Sequence, residues 1–360
     1  MTHKRIALIL AMLAATTMNA QNLRMLVGTY TENTPAEGVY LYEFNTKTGE
    51  ATLLDSAAAG NPSFVITGAD GSRAYSVNEF NDGRQGLSAF AIEGDCIRLL
   101  NTVEMPDDRV DGRDPCNLLL LDGGYLISSN YTGGSASVYA LAGDGSVGDP
   151  VQFAGYGAGS HIHCATLSPD GKYIFLNDLG RDCVYRIEMG AQRPFGSEAV
   201  AWENTDAYPF GPRHMVFSRD GRFAYLLCEL GDMLVVFSYA GGNLTPIQTI
   251  KAYDGDGHGS ADIHLSPDGR FLYTSHRLQG DGLSIFRVNA RTGQVKNVGF
   301  CSTGRHPRNF AISPDGRFLL CACRDDNRIE VYKRNLRTGS LKRTDHDILL
   351  GAPVCVQWVD

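Results

Sequence analysis

No run of apolar residues in this 360-residue chain is long enough to cross a membrane as a helix, which takes about 20 consecutive apolar residues. Basic residues are in the minority, with 32 Lys and Arg against 40 Asp and Glu and a formal net charge of −8. A nucleic-acid partner would want a basic patch, so none is expected. Cysteine is sparse and scattered. Its nine residues, an odd number, do not form the dense framework of a small secreted domain. They read as small buried hydrophobes, although one or two disulfides stay open. Helical periodicity is nearly absent after the first twenty residues.

Those twenty residues carry an address. "MTHKRIALILAMLAATTMNAQ" sets Lys4 and Arg5 before an apolar run from Ile6 to Ala15, and a polar stretch ends at Ala20. This is the pattern of a secretory signal cleaved after Ala20, with export to the periplasm or medium. Residues 21–360 are then expected to form one domain.

What the chain has in quantity is glycine, 41 residues, and a repeat. Asp-Gly turns recur in "NPSFVITGADGSRAYSVNEF", "DPCNLLLLDGGYLISSNYTG", "SHIHCATLSPDGKYIFLNDLG", "GPRHMVFSRDGRFAYLLCELG", "GSADIHLSPDGRFLYTSHRLQ" and "HPRNFAISPDGRFLLCACRDD". The turn aspartates are Asp70, Asp122, Asp170, Asp220, Asp268 and Asp315, at intervals of 52, 48, 50, 48 and 47 residues. A period near 50 built of short strands is the mark of a propeller. Within a repeat, an apolar run reaches the turn and a second run of strand formers follows. In several copies proline sets φ, and glycine accepts the positive φ of the turn. Two further strands follow, as in "NRIEVYKR" and "RTGSLKRTDHDIL". The expectation is an all-β, seven-bladed β-propeller with four antiparallel strands per blade. Six blades are whole. The seventh is a composite of the N-terminal strands and the C-terminal "APVCVQWVD", which closes the ring.

Register points to a site. The first strand of each hairpin starts about eight residues before the turn glycine, and the second ends seven or eight after it. These positions meet at the end opposite the turn, which near the axis is the mouth of the central channel. Eight before the glycine stand Ser63, Pro115, His163, Arg213, Ala261 and Arg308; seven or eight after stand Asn78, Glu79, Asn130, Tyr131, Asp178, Glu229, His276, Arg277 and Arg324. A solvated rim needs no such mixture of His, Arg and carboxylates converging on one place. His163 suits general acid–base work near neutral pH. Arg213, Arg277 and Arg308 suit a carboxylate, a phosphate or an oxyanion. Glu229 can orient a water or tune the histidine. His161, on the same strand start, is assigned to substrate contact, and the arginines argue against a His161–His163 metal pair. No metal and no cofactor are expected. Two decoys are loops: "DGDGHGS" from Asp254 has Leu265 where a calcium loop needs Glu, and "GYGAGS" lacks a strand-then-helix context.

The elements "LVGTYT", "NPSF", "SVNE", "SNYTGGSASVY", "HIH" before "SPDGKYIFLNDLG", "GPRH", "CEL" and "HPRNFAISPDGRFLLCAC" together resemble the seven-bladed propeller lactonases. That family includes the propeller-type 6-phosphogluconolactonases and the 3-carboxy-cis,cis-muconate lactonizing enzymes. The resemblance implies a catalytic set of His163, Glu229 and Arg277. It implies anion binding by Arg213, His214 and Arg308. Asn130, Asp178 and Glu79 complete the expected substrate contacts. Cys228 in "CEL" and His276 in "SHR" stand where the family usually has asparagine. The implied activity is hydrolysis of a sugar lactone, by a chain expected to be monomeric. The alternatives are a cycloisomerase, or an exported propeller that binds a sugar acid, glycan or protein without catalysis.

Overall fold

The computed structural model describes residues 22–105, 110–190, 194–255 and 257–359. The expected secretory signal, residues 1–20, lies outside them. The described residues form seven antiparallel sheets, six of four strands and one whose outer strand is split in two. Their only helical pieces are two three-residue 3-10 turns, Val110–Gly112 and Arg324–Asp326.

Six blades are sequential meanders with innermost strands Val65–Thr67, Pro115–Leu121, Ile162–Leu167, Pro212–Phe217, Ser260–Leu265 and Pro307–Ile312. We number these blades two to seven in chain order. Blade one takes its innermost strand, Pro353–Val359, from the far end of the chain, and it pairs with Asn22–Thr29. The sheet continues outward through Gly38–Asn45 and Ala51–Ala58. The expected composite blade is thus present, and the seven innermost strands pack one against the next in a closed ring.

No single core holds the ring. Each of seven apolar clusters joins one blade to its neighbour, as where Phe175 and Val184 of blade four meet Met215 and Leu226 of blade five. A blade alone would expose both faces of its sheet, so stability comes through these interfaces. The hairpin turn is built from its own polar residues. Ser168 donates to Asp170 Oδ1 at 2.6 Å and accepts from Tyr173 N–H at 2.9 Å, while Gly171 takes φ +67°. Ser218, Ser266 and Ser313 repeat the pattern in blades five to seven. All nine cysteines are free thiols, seven of them buried.

Candidate active site

At the end of the inner hairpins remote from the turns, the strands do not pair evenly. Pro212 faces Cys228 and His214 faces Leu227, so Arg213 is an extra residue. His163 is extra between Ile162 and Cys164, Arg308 between Pro307 and Asn309, and Cys116 between Pro115 and Asn117. In blade six Ala261 and Asp262 together face Ser275. Such β-bulges bend a strand and re-aim one side chain. Blade three is offset by one residue because its hairpin is one residue shorter between equivalent pairs; Cys116, not Pro115, holds the bulge.

The bulged side chains meet the residues that follow the second strands. Glu229 accepts from Arg213 Nε at 2.7 Å and pairs with Arg277 Nη2 at 2.8 Å. Burial works against its ionisation, but Arg277, Arg213 and Arg308 outweigh it and hold the carboxyl below its usual range. Across the ring Arg308 stands 3.6 Å from Glu79, over the ring of Tyr30 at 5.6 Å. Tyr30 donates to Glu79 at 3.0 Å, and Ser63 donates to the other oxygen of the same carboxylate. Arg213 is anchored to the Ala261 carbonyl and Arg277 to the Gly259 carbonyl.

The histidines stand beside this network. His163 is buried, with Tyr131 edge-on at 5.6 Å, His214 edge-on at 5.2 Å and the Cys116 sulfur 3.9 Å from Nδ1. Burial first, then the charges of Arg213, Arg308 and Arg277, push its pKa well below the ordinary value, so the ring is neutral. His214 donates from Nδ1 to Asp262 at 2.8 Å, and burial lowers it to about 4. His161 stacks on Tyr131 at 4.5 Å and donates from Nδ1 to the Tyr131 carbonyl. Three guanidinium groups thus converge with the carboxylates of Glu229 and Glu79 and two buried imidazoles, and a third carboxylate, Asp262, stands on His214.

The structure brings together His161, His163, Arg213, His214, Glu229, Arg277, Arg308 and Glu79. It does not bring Asn130 to them, and Asp178 meets only the backbone of His161. Asn130 is spent inside its blade on Ser128, Ser135 and Ser137. Asp178 accepts from Ser160 and from the backbone N–H groups of His161, Gly180 and Arg181, fixing the loop. The reason is strand alternation. Seven residues after the turn glycine the side chain points into the blade, as Asn78, Asn130, Asp178, Cys228, His276 and Cys323 do. The eighth residue is Glu79, Tyr131, Glu229 or Arg277, and these side chains make the cluster. The two family asparagine positions, Cys228 and His276, therefore lie within the blades. His276 bonds Ser260 and Thr274 and is lowered to about 3 by burial. Arg324, also an eighth residue, pairs outward with Asp325. Tyr30, Cys116 and Asp262 were not assigned from the sequence. Tyr30 lies in the quoted "LVGTYT", and Asp262 falls opposite His214 when "GSADIHL" is set under "GPRHMVF".

Comparison with known proteins follows the fold and the cluster. The family model described as "Lactonase, 7-bladed beta-propeller" matches residues 24–358. A 6-phosphogluconolactonase of Formosa agariphila is 33% identical over 355 residues, covering 92% of this chain and 98% of that protein. A Bacillus subtilis protein of the same name is 30% identical, covering 92% and 97%. Among solved structures, the periplasmic gluconolactonase PpgL of Pseudomonas aeruginosa superposes with a TM-score of 0.86 at 31% identity, over 94% of this chain and 99% of that one. The chain belongs to the seven-bladed propeller lactonase family.

Proposed function

We propose that this lactonase-family propeller hydrolyses a sugar lactone at the mouth of its central channel, with His163 as general base. One observation carries the reading: the buried imidazole of His163 stands beside three converging arginines, whose charges and its burial keep it unprotonated. A neutral imidazole can take a proton from water as the water attacks the lactone carbonyl. The carbonyl oxygen gains charge in that step, and Arg277 and Arg213, pre-set by Glu229, stabilise it without reorganising. His163 then returns the proton to the ring oxygen as the C–O bond breaks. The converging guanidinium groups favour an anionic substrate or product, with Arg308 holding a carboxylate or phosphate. The names of the Formosa, Bacillus and Pseudomonas relatives support a gluconolactone-type substrate, phosphorylated or not. Export is part of the proposal. It is supported by the pattern of the first twenty residues and by the periplasmic description of the Pseudomonas relative.

The test is proton release by the purified mature protein with sugar lactones, with and without a phosphate. His163→Ala and Arg277→Ala are each expected to lower turnover by about 10²-fold or more. Full activity in either variant overturns the assignment. Isomerisation of an unsaturated dicarboxylate with no lactone turnover would favour a cycloisomerase. Tight glycan or protein capture with no turnover would favour a scaffold.

A further inference from the structure

Asp262 has two histidine partners and stands next to the proposed base. It accepts from His214 Nδ1 at 2.8 Å on Oδ1 and pairs with His264 Nε2 at 2.9 Å on Oδ2. Asn309 Nδ2 also donates to Oδ2 at 2.6 Å, and the backbone N–H groups of Ile263 and Phe310 donate at 3.0 and 3.3 Å. Phe64, from the far side of the ring, lies edge-on to His214 at 6.3 Å. His264 sits two residues nearer the turn, with 40% of its side-chain surface open. The carboxylate therefore links a histidine of the cluster to one further along the inner strand.

A purely structural role exists for this position. In blades three, seven and one the equivalent residue clasps the next blade: Asn117 accepts from Ala165 N–H, Asn309 from Val356 N–H and the Cys355 sulfur from Val65 N–H. Asp262 does the same toward Phe310. Neutral groups suffice for the clasp, and burying a carboxylate costs desolvation that they avoid. The charge needs another reason, and the two imidazoles supply it.

We propose that Asp262 holds His214 as its Nδ1–H tautomer so that Nε2 is a second proton acceptor of the site. The inference rests on the lactonase reading and deepens it. Hydrolysis deals with two protons of the attacking water. The first travels by way of His163 to the leaving ring oxygen. The second is on the new carboxylic acid, which must ionise before its carboxylate can pair with the arginines. Among the described residues His163 has no carboxylate partner to steady a second charge. His214 does: as the acid O–H breaks, its proton bonds to Nε2, and the imidazolium pairs with Asp262. It returns to water when product leaves. Arg213 Nη1 stands 3.3 Å from Nε2 and 3.5 Å from Nδ1, which sets it against the ring and not on either lone pair. The charged and titratable groups facing His214 are thus Arg213, His163 and Asp262, with His264 behind the carboxylate. Burial and then the charge of Arg213 lower His214 and keep the acceptor empty at rest, against the opposing pull of Asp262. Asp262 and His264 are positioning residues in this scheme.

Asp262→Asn separates the clasp from the charge, because asparagine already makes the clasp in blades three and seven. The variant gives up a buried charge with two histidine partners, so its Tm is expected to fall by roughly 3–6 °C, and kcat is compared well below the melt. Its kcat should fall about a hundredfold, the lower end of what acid–base catalysis contributes, with KM changed less than about threefold. The acid limb of the kcat profile should also move. Unchanged kcat and pH profile would overturn the proposal and leave only the clasp. His214→Asn provides the second variant, expected to match Asp262→Asn in kcat. Ring ¹⁵N NMR of the substrate-free protein gives a readout independent of turnover. Nδ1–H on His214 in the parent, lost in Asp262→Asn, supports the pair even if no lactone is hydrolysed, and in that case only the lactonase reading fails. Nε2–H on His214 in the parent overturns the pair whatever the activity.

Discussion

Glu229→Gln removes one charge from the centre of the cluster and leaves the shape almost unchanged. The carboxylate binds Arg213 at 2.7 Å and Arg277 at 2.8 Å, and its side chain is only 17% exposed. Glutamine keeps one acceptor oxygen, so one arginine bond survives in weaker form. The other guanidinium faces an amide N–H₂. Removing a partner from a buried pair costs about 3–5 kcal/mol, and the surviving bond brings the expectation to about 2–4 kcal/mol. In a chain of this size that is a fall in Tm of roughly 3–6 °C.

The pH dependence of that deficit has a definite sign. Arg277, Arg213 and Arg308 lower the folded pKa of Glu229 against the opposing effect of burial. Its unfolded value is about 4.3. The carboxylate's contribution is complete above the unfolded value and disappears as pH falls through the folded one. Urea denaturation of parent and variant should thus show the full gap from pH 7 to 5, shrinking with acidification below about pH 4. A gap under about 1 kcal/mol at pH 7, the scale of an exposed pair, would show that the arginines do not depend on Glu229. A gap that stays constant down to pH 3 would show that packing and not charge is responsible.

Further expectations follow from the same geometry. Burial and three arginines hold His163 well below the ordinary histidine value, so the base form persists on mild acidification. Lactone turnover should stay level from about pH 8 to 6 and decline only below, whereas a limb at the ordinary histidine pKa near 6.5 would contradict the assignment. Deleting residues 353–360 removes the innermost strand of blade one and bares the edge of Asn22–Thr29. The truncated chain should lose its cooperative melt and aggregate, and a soluble product with the parental Tm would refute the closure argument.

The architecture was legible because a propeller repeats its physics. Six Asp-Gly turns set the period, and "APVCVQWVD" matched an inner strand with no hairpin of its own. The cluster was legible to within one residue. Counting from the turn glycine reaches the correct end of each hairpin, but side chains alternate, so Asn130 and Asp178 fall on the inward face and Glu79, Tyr131, Glu229 and Arg277 on the other. No motif marks a bulge, and the shorter turn of blade three moves it from Pro115 to Cys116. Asp262 was missed for a different reason. Its neighbours in sequence, Ala261 and Ile263, read as plain strand, and only the packing of blades five, six and seven brings His214 and Asn309 to it.

The bulges also explain how one scaffold position can vary so widely. A residue in register on an inner strand must fit both its sheet and the neighbouring blade, and the apolar clusters leave little freedom there. A bulged residue has no cross-strand partner. It can be Cys116, His163, Arg213, Ala261 or Arg308 without disturbing the ladder on either side. In several blades the backbone that feeds it is constrained instead. Asn61, Asp114, Gly211, His306 and Ala352 all hold positive φ directly before proline. Proline locks the next φ, so the entry angle of the strand is fixed whatever side chain follows. A constrained entry before an unconstrained side chain keeps the backbone repeated while the chemistry differs from blade to blade.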